Sequence, residues 1–400
     1  MSRAMKDSGV PWLKEIPVNW KVERGKNVLA LQKRPGRDND EVVTCFRDGE
    51  VILRSLRRTE GFTMSDKEIG YQGINEGDIV IHGMDGFAGA MGVSKSTGKG
   101  SPVLIVCTPK YDAIPKYIIY YLRALAMTDV FVALATGIRE RSCDLRWNKV
   151  SELEFIMPFS SEQQKIAEFL DRKCAEVDEM IALQEQIIEE LKAYKQSVIT
   201  EAVTKGLNPD VPMKDSGIEW IGQIPEHYIC SKLKYYVKID SGDALSNEII
   251  RPEGTYPVYG GGEIMGYHSE SNTSKDSLVI GRVGARCGCV TMPNTNCWAT
   301  DNALVLKTKV KLRFMYYLLI GINLNRLNTS NAQPLITATK VKNEHISLPP
   351  IEEQQSIADY LDKKCSEIDN LISIKLSKID SLKEYKKSII YEYVTGKREV

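Results

Sequence analysis

The segment EQQKIAEFLDRKCAEVDEMI at residues 162–181 returns as EQQSIADYLDKKCSEIDNLI at residues 353–372. Extended without a gap, the two stretches share 22 identities in 43 positions. A second repeat opens each half of the chain, as MKDSGVPWLKEIPVNW from Met5 and MKDSGIEWIGQIPEHY from Met213. Self-similarity at a long period indicates a duplicated architecture, so the sequence predicts a tandem repeat.

Each repeated segment has the apolar period of a long helix. Steps of four and three separate its apolar or small residues, which are Ile166, Leu170, Cys174, Val177, Ile181, Ile188, Leu191 and Val198 in the first copy, and Ile357, Leu361, Cys365, Ile368, Ile372, Ile379, Leu382 and Ile389 in the second. Forty residues of helix span roughly 60 Å, and one apolar stripe of that length needs a partner. We expect the two helices to pack on each other as an antiparallel coiled coil.

One position of this seam is polar in both copies, Gln184 and Lys375. Both residues lie near the midpoint of their helix, so antiparallel packing would bring them close together. Buried polar residues at such a position fix the register of two helices. The alternative is that both side chains reach solvent, which is the more common outcome for a lysine.

Between the repeated segments, the sequence mixes short strands with glycine turns. GDIVIHGMDGFAGAMGV from Gly77 and DSLVIGRVGARCGCVTM from Asp276 both indicate strand, glycine-rich turn and strand. Each is followed by an aromatic-rich helix containing Tyr-Tyr-Leu, at residues 120–122 and 316–318, whose aromatic side chains are expected in the core.

The predicted fold class is therefore α+β, with two domains of mixed α/β structure joined by two long antiparallel helices in a pseudo-two-fold tandem repeat. The predicted boundaries are 1–156 for the first domain, 157–212 for the first long helix and linker, 213–347 for the second domain, and 348–400 for the second long helix.

Composition is typical of a globular protein without a membrane-spanning segment. The 400 residues are 42% hydrophobic and carry no net charge, a length that suggests two or three domains. The charge is unevenly distributed, because residues 1–156 hold 23 Lys and Arg against 20 Asp and Glu, whereas residues 157–212 hold 6 against 11. Nine cysteines without a framework spacing, and no evident signal peptide, predict reduced thiols in the cytoplasm.

The order of these motifs resembles the specificity subunits of type I restriction–modification systems. The resemblance rests on MKDSGxxWxxxIPxxW, on the glycine turn after a Val-Ile dipeptide, and on the PPxxEQxxIAxxLD entry into a long helix. The second copy holds the helix entry intact from Pro349 to Asp362, whereas the first has Phe159 in place of the second proline. The resemblance covers essentially the whole chain.

The resemblance implies a non-catalytic DNA-binding subunit. Its two mixed domains would be target-recognition domains, each reading one half of a bipartite asymmetric site in double-stranded DNA. The helices would dock two adenine-N6 methyltransferase subunits and, through them, ATP-dependent restriction subunits. No cofactor would be bound by this chain, since S-adenosylmethionine, ATP and Mg²⁺ belong to the partner subunits.

Candidate DNA-binding residues follow from chemistry, because arginine, lysine, amide and hydroxyl groups contact bases and phosphates. In the first domain they are Arg54, Arg57, Arg58, His82, Arg139, Arg141, Ser142 and Arg146. In the second domain they are Arg282, Arg286, Gln333, Thr337, Thr339 and Lys340. His82 stands near the place that Arg282 takes in the second copy. For any single arginine, the alternative is a solvated surface charge.

Each segment that resembles a catalytic motif lacks at least one residue that the motif requires. Residues 87–91 lack the last glycine of a methyltransferase cofactor loop, and residues 348–351 lack both the amide or acid and the aromatic of its catalytic motif. Cys287, Cys289, Cys297 and His268 could form a zinc site, although their spacing is not that of a standard finger. Three alternatives remain: the same scaffold in another DNA modification or defence system, a self-contained methyltransferase or nuclease with cryptic motifs, and a structural coiled-coil protein.

Overall fold

The computed structural model describes residues 3–37, 39–57, 69–128, 130–131, 145–328 and 334–400. The chain divides into two compact units, residues 1–183 with 377–400 and residues 184–376. The first unit thus combines the N-terminal domain with the start of one long helix and the end of the other. The second unit holds the remaining parts of both helices.

The first unit is built from short strands around one central helix. Its described strands are β1 (Met5–Val10), β2 (Leu13–Pro17), β3 (Lys21–Arg24), β4 (Leu29–Leu31), β5 (Val43–Cys45), β6 (Val51–Leu53), β7 (Gln72–Ile74), β8 (Ile79–His82), β9 (Met91–Val93), β10 (Gly98–Gly100), β11 (Leu104–Pro109) and β12 (Glu154–Met157). Its described helices are α1 (Gly25–Val28), α2 (Pro115–Met127), α3 (Trp147–Glu152) and the first part of α4 (Ser160–Lys205).

An antiparallel sheet of order β4-β11-β8-β9 forms the centre of this unit. Strand β8 is the apolar run Ile79-Val80-Ile81, and all three side chains are fully buried. Helix α2 begins with a proline at its first turn, a position where the missing N–H removes no helical hydrogen bond. Of the Tyr-Tyr-Leu residues expected in the core, Tyr121 and Leu122 are fully buried, and Tyr120 is partly buried against the same cluster.

The second unit repeats this design. Its described strands are β13 (Met213–Asp215), β14 (Gln223–Pro225), β15 (Ile229–Lys232), β16 (Val237–Ser241), β17 (Tyr256–Tyr259), β18 (Ile264–His268), β19 (Leu278–Gly281), β20 (Val290–Thr291), β21 (Trp298–Ala299), β22 (Ala303–Thr308) and β23 (His345–Leu348). Its described helices are α5 (Leu312–Ile322), α6 (Ala338–Asn343) and parts of α4 and α7 (Ile351–Val394).

Strand pairings correspond between the units. The central sheet of the second unit has the order β16-β22-β19-β20, matching β4-β11-β8-β9, and β15 pairs with β23 as β3 pairs with β12. In both units the glycine turn connects two antiparallel strands, β8 to β9 and β19 to β20. The strand, turn and strand predicted in each half are therefore confirmed. The second unit adds a three-stranded sheet of order β18-β17-β21.

The repeated Glu-Gln pair attaches each long helix to its domain. Gln163 accepts a hydrogen bond from Ile114 N–H at 2.9 Å and donates one to Pro158 O at 2.9 Å. Its counterpart Gln354 accepts from Lys311 N–H at 3.1 Å and donates to Pro349 O at 3.0 Å. Both amides are buried, so each one holds the N-cap residue of the domain helix against the start of the long helix.

The adjacent glutamates explain why the opening motif is repeated. Trp20, the last aromatic of that motif, donates its indole N–H to Glu162 Oε2 at 3.0 Å. In the second unit Tyr228 takes the same place and donates its hydroxyl to Glu353 Oε2 at 3.0 Å. The two repeated motifs of each half are thus in direct contact, although they are more than 120 residues apart in sequence.

Within each unit the segments of the long helices run antiparallel. In the first unit Phe169 stacks on Tyr393, and Asp178 pairs with Lys386. Residues later in α4 therefore contact residues earlier in α7. In the second unit Lys195 pairs with Asp369, and Val203 shares a core cluster with Ile357. The helices carry the buried seam residues Leu170, Cys174, Leu361 and Cys365.

Candidate nucleic-acid interface

The glycine turn and the loop before α6 lie side by side in the second unit. Val283 in the turn forms a β-bridge with Leu335 in the loop. Ile336 N–H donates to Arg282 O at 2.9 Å, and Gly284 N–H donates to Pro334 O at 3.2 Å. The two regions singled out in this domain from the sequence are therefore joined by backbone hydrogen bonds.

Close backbone approach explains the glycines of this turn. A Cβ on Gly281 would lie 2.1 Å from Gly261 O, and a Cβ on Gly288 would lie 2.5 Å from Asn325 N. Gly288 also has a φ of +89°, a conformation that other residues rarely adopt. The turn is consequently held between the 260–262 glycine run and the 3-10 turn at Leu324–Leu327 that follows α5, which gives its arginines a closely packed support.

The two turn arginines have different environments. Arg282 Nη1 lies 3.4 Å from both Ser241 Oγ and Asp301 O, and its Nε is buried without a hydrogen-bond partner. Arg286 forms an ion pair with Glu263, and both side chains are more than half exposed. An exposed pair of this kind is weak, so Arg286 can exchange the carboxylate for a phosphate.

The loop residues also support their own backbone. Thr337 is the N-cap of α6, and its hydroxyl accepts a hydrogen bond from Lys340 N–H at 3.4 Å. Lys340 Nζ donates to Leu327 O at 3.3 Å. Thr339 is exposed. Thr337 and Lys340 therefore shape the loop as well as being candidates for DNA contact.

The first unit contains the same junction of turn and loop. Leu145 N–H donates to Gly83 O at 2.9 Å, as Ile336 N–H does to Arg282 O. By this hydrogen bond Gly83 is the counterpart of Arg282, one residue beyond His82. Arg146 is the N-cap residue of α3, the position that Thr337 takes in the second unit.

His82 has a structural partner in this turn. Its Nδ1 accepts a hydrogen bond from Asp85 N–H at 3.0 Å. Burial lowers the pKa of His82 below the usual 6.5, and the nearby Asp85 carboxylate opposes that shift only in part. The imidazole is therefore neutral at pH 7, so it offers hydrogen bonds and no charge.

A basic pocket of ≈ 480 Å³ lies beside this turn. Its lining includes Thr44, Phe46, Arg47, Asp48, Arg54, Arg57 and Asp85. The Arg57 guanidinium stacks 4.2 Å from the Phe46 ring centroid and hydrogen-bonds to Asp48 and Glu50. The hydrogen bond from Arg57 to Asp48 lowers the pKa of the Asp48 carboxyl. Arg54 Nε donates to Thr44 Oγ1 at 3.0 Å, so Arg54 and Arg57 are both brought to one pocket.

Comparison with known proteins finds similarity to one family. Residues 225–384 match the type I restriction modification DNA specificity domain. The type I restriction enzyme EcoprrI specificity subunit of Escherichia coli is 34% identical over 133 residues, which cover 32% of this chain and 33% of that protein. The type I restriction enzyme MjaVIII specificity subunit of Methanocaldococcus jannaschii is 24% identical over 421 residues, covering 96% and 94%. The chain is thus similar to type I restriction–modification specificity subunits over nearly its whole length, and residues 225–384 match their DNA specificity domain.

Solved structures show the same fold. A chain from a study of complex assembly and conformational transition of the type I R-M system is 15% identical, with a TM-score of 0.72 and coverage of 96% of this chain and 99% of that one. The HsdS subunit from Thermoanaerobacter tengcongensis is 16% identical, with a TM-score of 0.52 and coverage of 96% and 98%. At these identities the two solved structures show that the fold of this chain is shared with them.

Several candidate DNA contacts of this chain lie outside the described residues. They are Arg58, Arg139, Arg141, Ser142 and Gln333. The sequence also missed four charged residues that flank the described candidates, namely Arg47, Asp48, Asp85 and Glu263. The position of Glu263, directly after three glycines in a row, is the signal that could have identified it.

The two polar seam residues, Gln184 and Lys375, are shielded from solvent to different extents. Gln184 is buried, and its Oε1 lacks a hydrogen-bond partner, whereas Lys375 is half-buried. A buried amide oxygen without a donor is unfavourable by about 1–3 kcal/mol, which is the kind of penalty that register-setting polar residues carry. Their role in fixing the register stays a prediction.

Over the described ranges, the chain has no group of three His, Cys, Asp or Glu side chains that could hold a metal ion. Cys287 Sγ donates to Arg282 O at 3.2 Å, and His268 packs edge-on against Trp298. The zinc alternative therefore has no support in these residues. Among the same described residues, no helix is long and apolar enough to cross a bilayer.

Proposed function

We propose that this chain reads a bipartite, asymmetric site in double-stranded DNA, with one half-site for each unit. The observation that supports this most is the duplicated junction of glycine turn and pre-helix loop, which has one equivalent backbone hydrogen bond in each unit but different side chains. The first unit presents His82 and Arg146 at this junction, and the second presents Arg282 and Thr337. A common support with divergent side chains is what two different half-sites require.

In this proposal the two target-recognition domains are residues 1–156 and 213–347, and the helical segments 157–212 and 348–400 act as a coiled-coil spacer. The spacer docks two adenine-N6 methyltransferase subunits, and through them the ATP-dependent restriction subunits, in the cytoplasm. S-adenosylmethionine, ATP and Mg²⁺ are bound by those partners. Neutral overall charge fits this division of labour, because the partners supply part of the positive charge that phosphates need.

Exchange of one recognition domain tests the proposal. Residues 30–156 are replaced by the matching segment of another specificity subunit, and the chain is assembled with its methyltransferase subunit. Sequencing of methylated adenines is expected to show a change in one half-site, with the other half-site retained. A matched exchange of residues 238–347 is expected to change the opposite half. A change of both halves in either chimera contradicts the assignment of one half-site to each unit.

A further inference from the structure

The two units differ at one repeated pair of positions on the long helices. In the first unit the Tyr393 ring stacks on Phe169, with centroids 4.4 Å apart. The repeat places Ala202 at the position of Tyr393 and Tyr360 at the position of Phe169. The residues on either side are the same, since Glu201-Ala202-Val203-Thr204 corresponds to Glu392-Tyr393-Val394-Thr395. The second unit therefore keeps the aromatic wall and lacks the ring that covers it.

An open groove occupies the place of the missing ring. Its volume is ≈ 810 Å³, and Tyr360 and Ala202 both line it. The other large apolar side chains in its lining include Tyr194, Val198, Leu207 and Met213. Tyr194, Leu207 and Tyr360 are 57%, 43% and 39% exposed. Large apolar side chains that gather around a groove and remain in contact with water mark an interaction surface.

We propose that this Tyr360 groove receives an aromatic side chain of a methyltransferase subunit, so that the two methyltransferase sites of the chain are unequal. This inference rests on the proposed docking of two such subunits. The twin position in the first unit defines the chemistry of the occupant, because there an aromatic ring of the chain itself fills the space. A partner that presents the same surface to both units meets an open groove in one and the Tyr393 ring in the other.

One ion pair beside the groove is common to both units. Lys195 pairs with Asp369 beside it, as Lys386 pairs with Asp178 in the first unit. Glu201 and Lys205 form a charged rim, with 3.4 Å between Oε1 and Nζ. A buried aromatic anchor within a polar rim is the arrangement that contributes most to protein–protein affinity, so one open groove is enough to separate the two affinities.

Titration of the full chain with its methyltransferase subunit, followed by calorimetry and native mass spectrometry, tests the proposal. The wild-type chain is expected to bind two copies, with dissociation constants at least tenfold apart. Ala202→Tyr fills the groove and is expected to weaken the tighter site at least tenfold, leaving two sites of similar affinity. Tyr393→Ala opens the twin position and is expected to tighten the weaker site.

A second substitution avoids the buried position of Ala202. Ser197 lines the groove and is exposed, so Ser197→Trp is expected to block the tight site without touching the core. Its twin Ser388→Trp, in the first unit, is the matched control and is expected to leave the tight site unchanged. Two equal sites in the wild type, or a tight site that survives both Ala202→Tyr and Ser197→Trp, overturn the proposal.

Two further outcomes separate the possible errors. Self-association of the wild-type chain that Ser197→Trp abolishes would assign the groove to a second copy of the chain, and it would overturn the methyltransferase assignment. A wild-type chain that binds no methyltransferase subunit contradicts the proposed function itself, and the groove proposal fails with it. Unchanged binding by the variants contradicts the groove proposal alone.

Discussion

Lys386 donates hydrogen bonds of 2.6 Å to both carboxylate oxygens of Asp178. In the second unit Lys195 donates hydrogen bonds of 2.7 Å to both oxygens of Asp369. The repeat equates Asp178 with Asp369 and Lys195 with Lys386, so one pair of repeated residues forms two bridges with the partners exchanged. That exchange follows from antiparallel pairing of two equivalent helices. The same two repeat positions meet once in each unit, and the helix that supplies the aspartate in one unit supplies the lysine in the other.

Charge reversal at this pair is expected to destabilise the chain by about 1 kcal/mol, because Asp178 is largely exposed and water screens the interaction. Asp178→Lys removes the bridge and places two lysines together, and adding Lys386→Asp is expected to restore most of the loss. Urea denaturation measures both changes. Glu384→Lys breaks a bridge within one helix and serves as the control, with an effect below about 0.5 kcal/mol. A double variant no more stable than Asp178→Lys shows that the bridge does not stabilise the pairing.

Replacement of the buried amide at the start of α4 is expected to lower stability much more. Gln163→Ala removes the partner of Ile114 N–H and of Pro158 O, both at buried or half-buried sites, and is expected to cost about 1–3 kcal/mol. Gln354→Ala is expected to do the same in the second unit. Thermal denaturation measures the loss, with the exposed neighbour Gln164→Ala as the control. Equal midpoints for Gln163→Ala and Gln164→Ala contradict the bracing role of this amide.

The repeats in the sequence predict much of this fold, and the reason is physical. Apolar residues at alternating steps of three and four over many turns fit an α-helix and do not fit a β-strand. Both long helices begin within three residues of the prolines that precede the repeated segments. The pairing of Arg286 with Glu263 was missed because it joins residues on different loops, where no periodicity operates. Likewise, the compact units divide both helices near residues 183 and 376. This boundary depends on tertiary packing, and its only mark in the seam is the polar pair Gln184 and Lys375 beside it.

Stability is expected to depend on pH through His82. Burial lowers the pKa of this imidazole in the folded state, so below the ordinary value near 6.5 the unfolded chain takes up a proton that the folded chain refuses. The contribution of His82 is therefore full above pH 6.5 and is lost as the pH falls toward the folded-state pKa. His82→Asn is expected to flatten the fall in melting temperature between pH 7 and pH 5.5. His345→Asn, at an exposed site, is the control. Identical pH profiles for wild type and His82→Asn contradict this expectation.

Removal of the Arg286 side chain from the glycine turn of the second unit is expected to weaken DNA binding by about 1–2 kcal/mol, because one charge-assisted contact is lost. Arg286→Ala should leave the preference at the half-site read by the first unit unchanged. Lys307→Ala, which removes an exposed charge from β22, is the matched control for net charge. Competition binding at several salt concentrations measures both effects, and a salt slope reduced by about one assigns Arg286 to a phosphate. Equal losses for Arg286→Ala and Lys307→Ala indicate that only net charge matters.

Helix length is expected to set the gap between the two half-sites. Seven residues inserted after Leu183 and seven after Leu376 leave every contact within each unit unchanged, because the equal shift in both antiparallel helices retains their register on either side of the insertions. Each heptad adds about 10 Å of helix, which corresponds to about 3 base pairs of duplex DNA. Mapping of methylated adenines should therefore return the same half-sites with a longer gap. An insertion in one helix alone places the seams out of register and is expected to abolish site-specific methylation. An unchanged gap in the doubly extended chain shows that the helices do not measure the site.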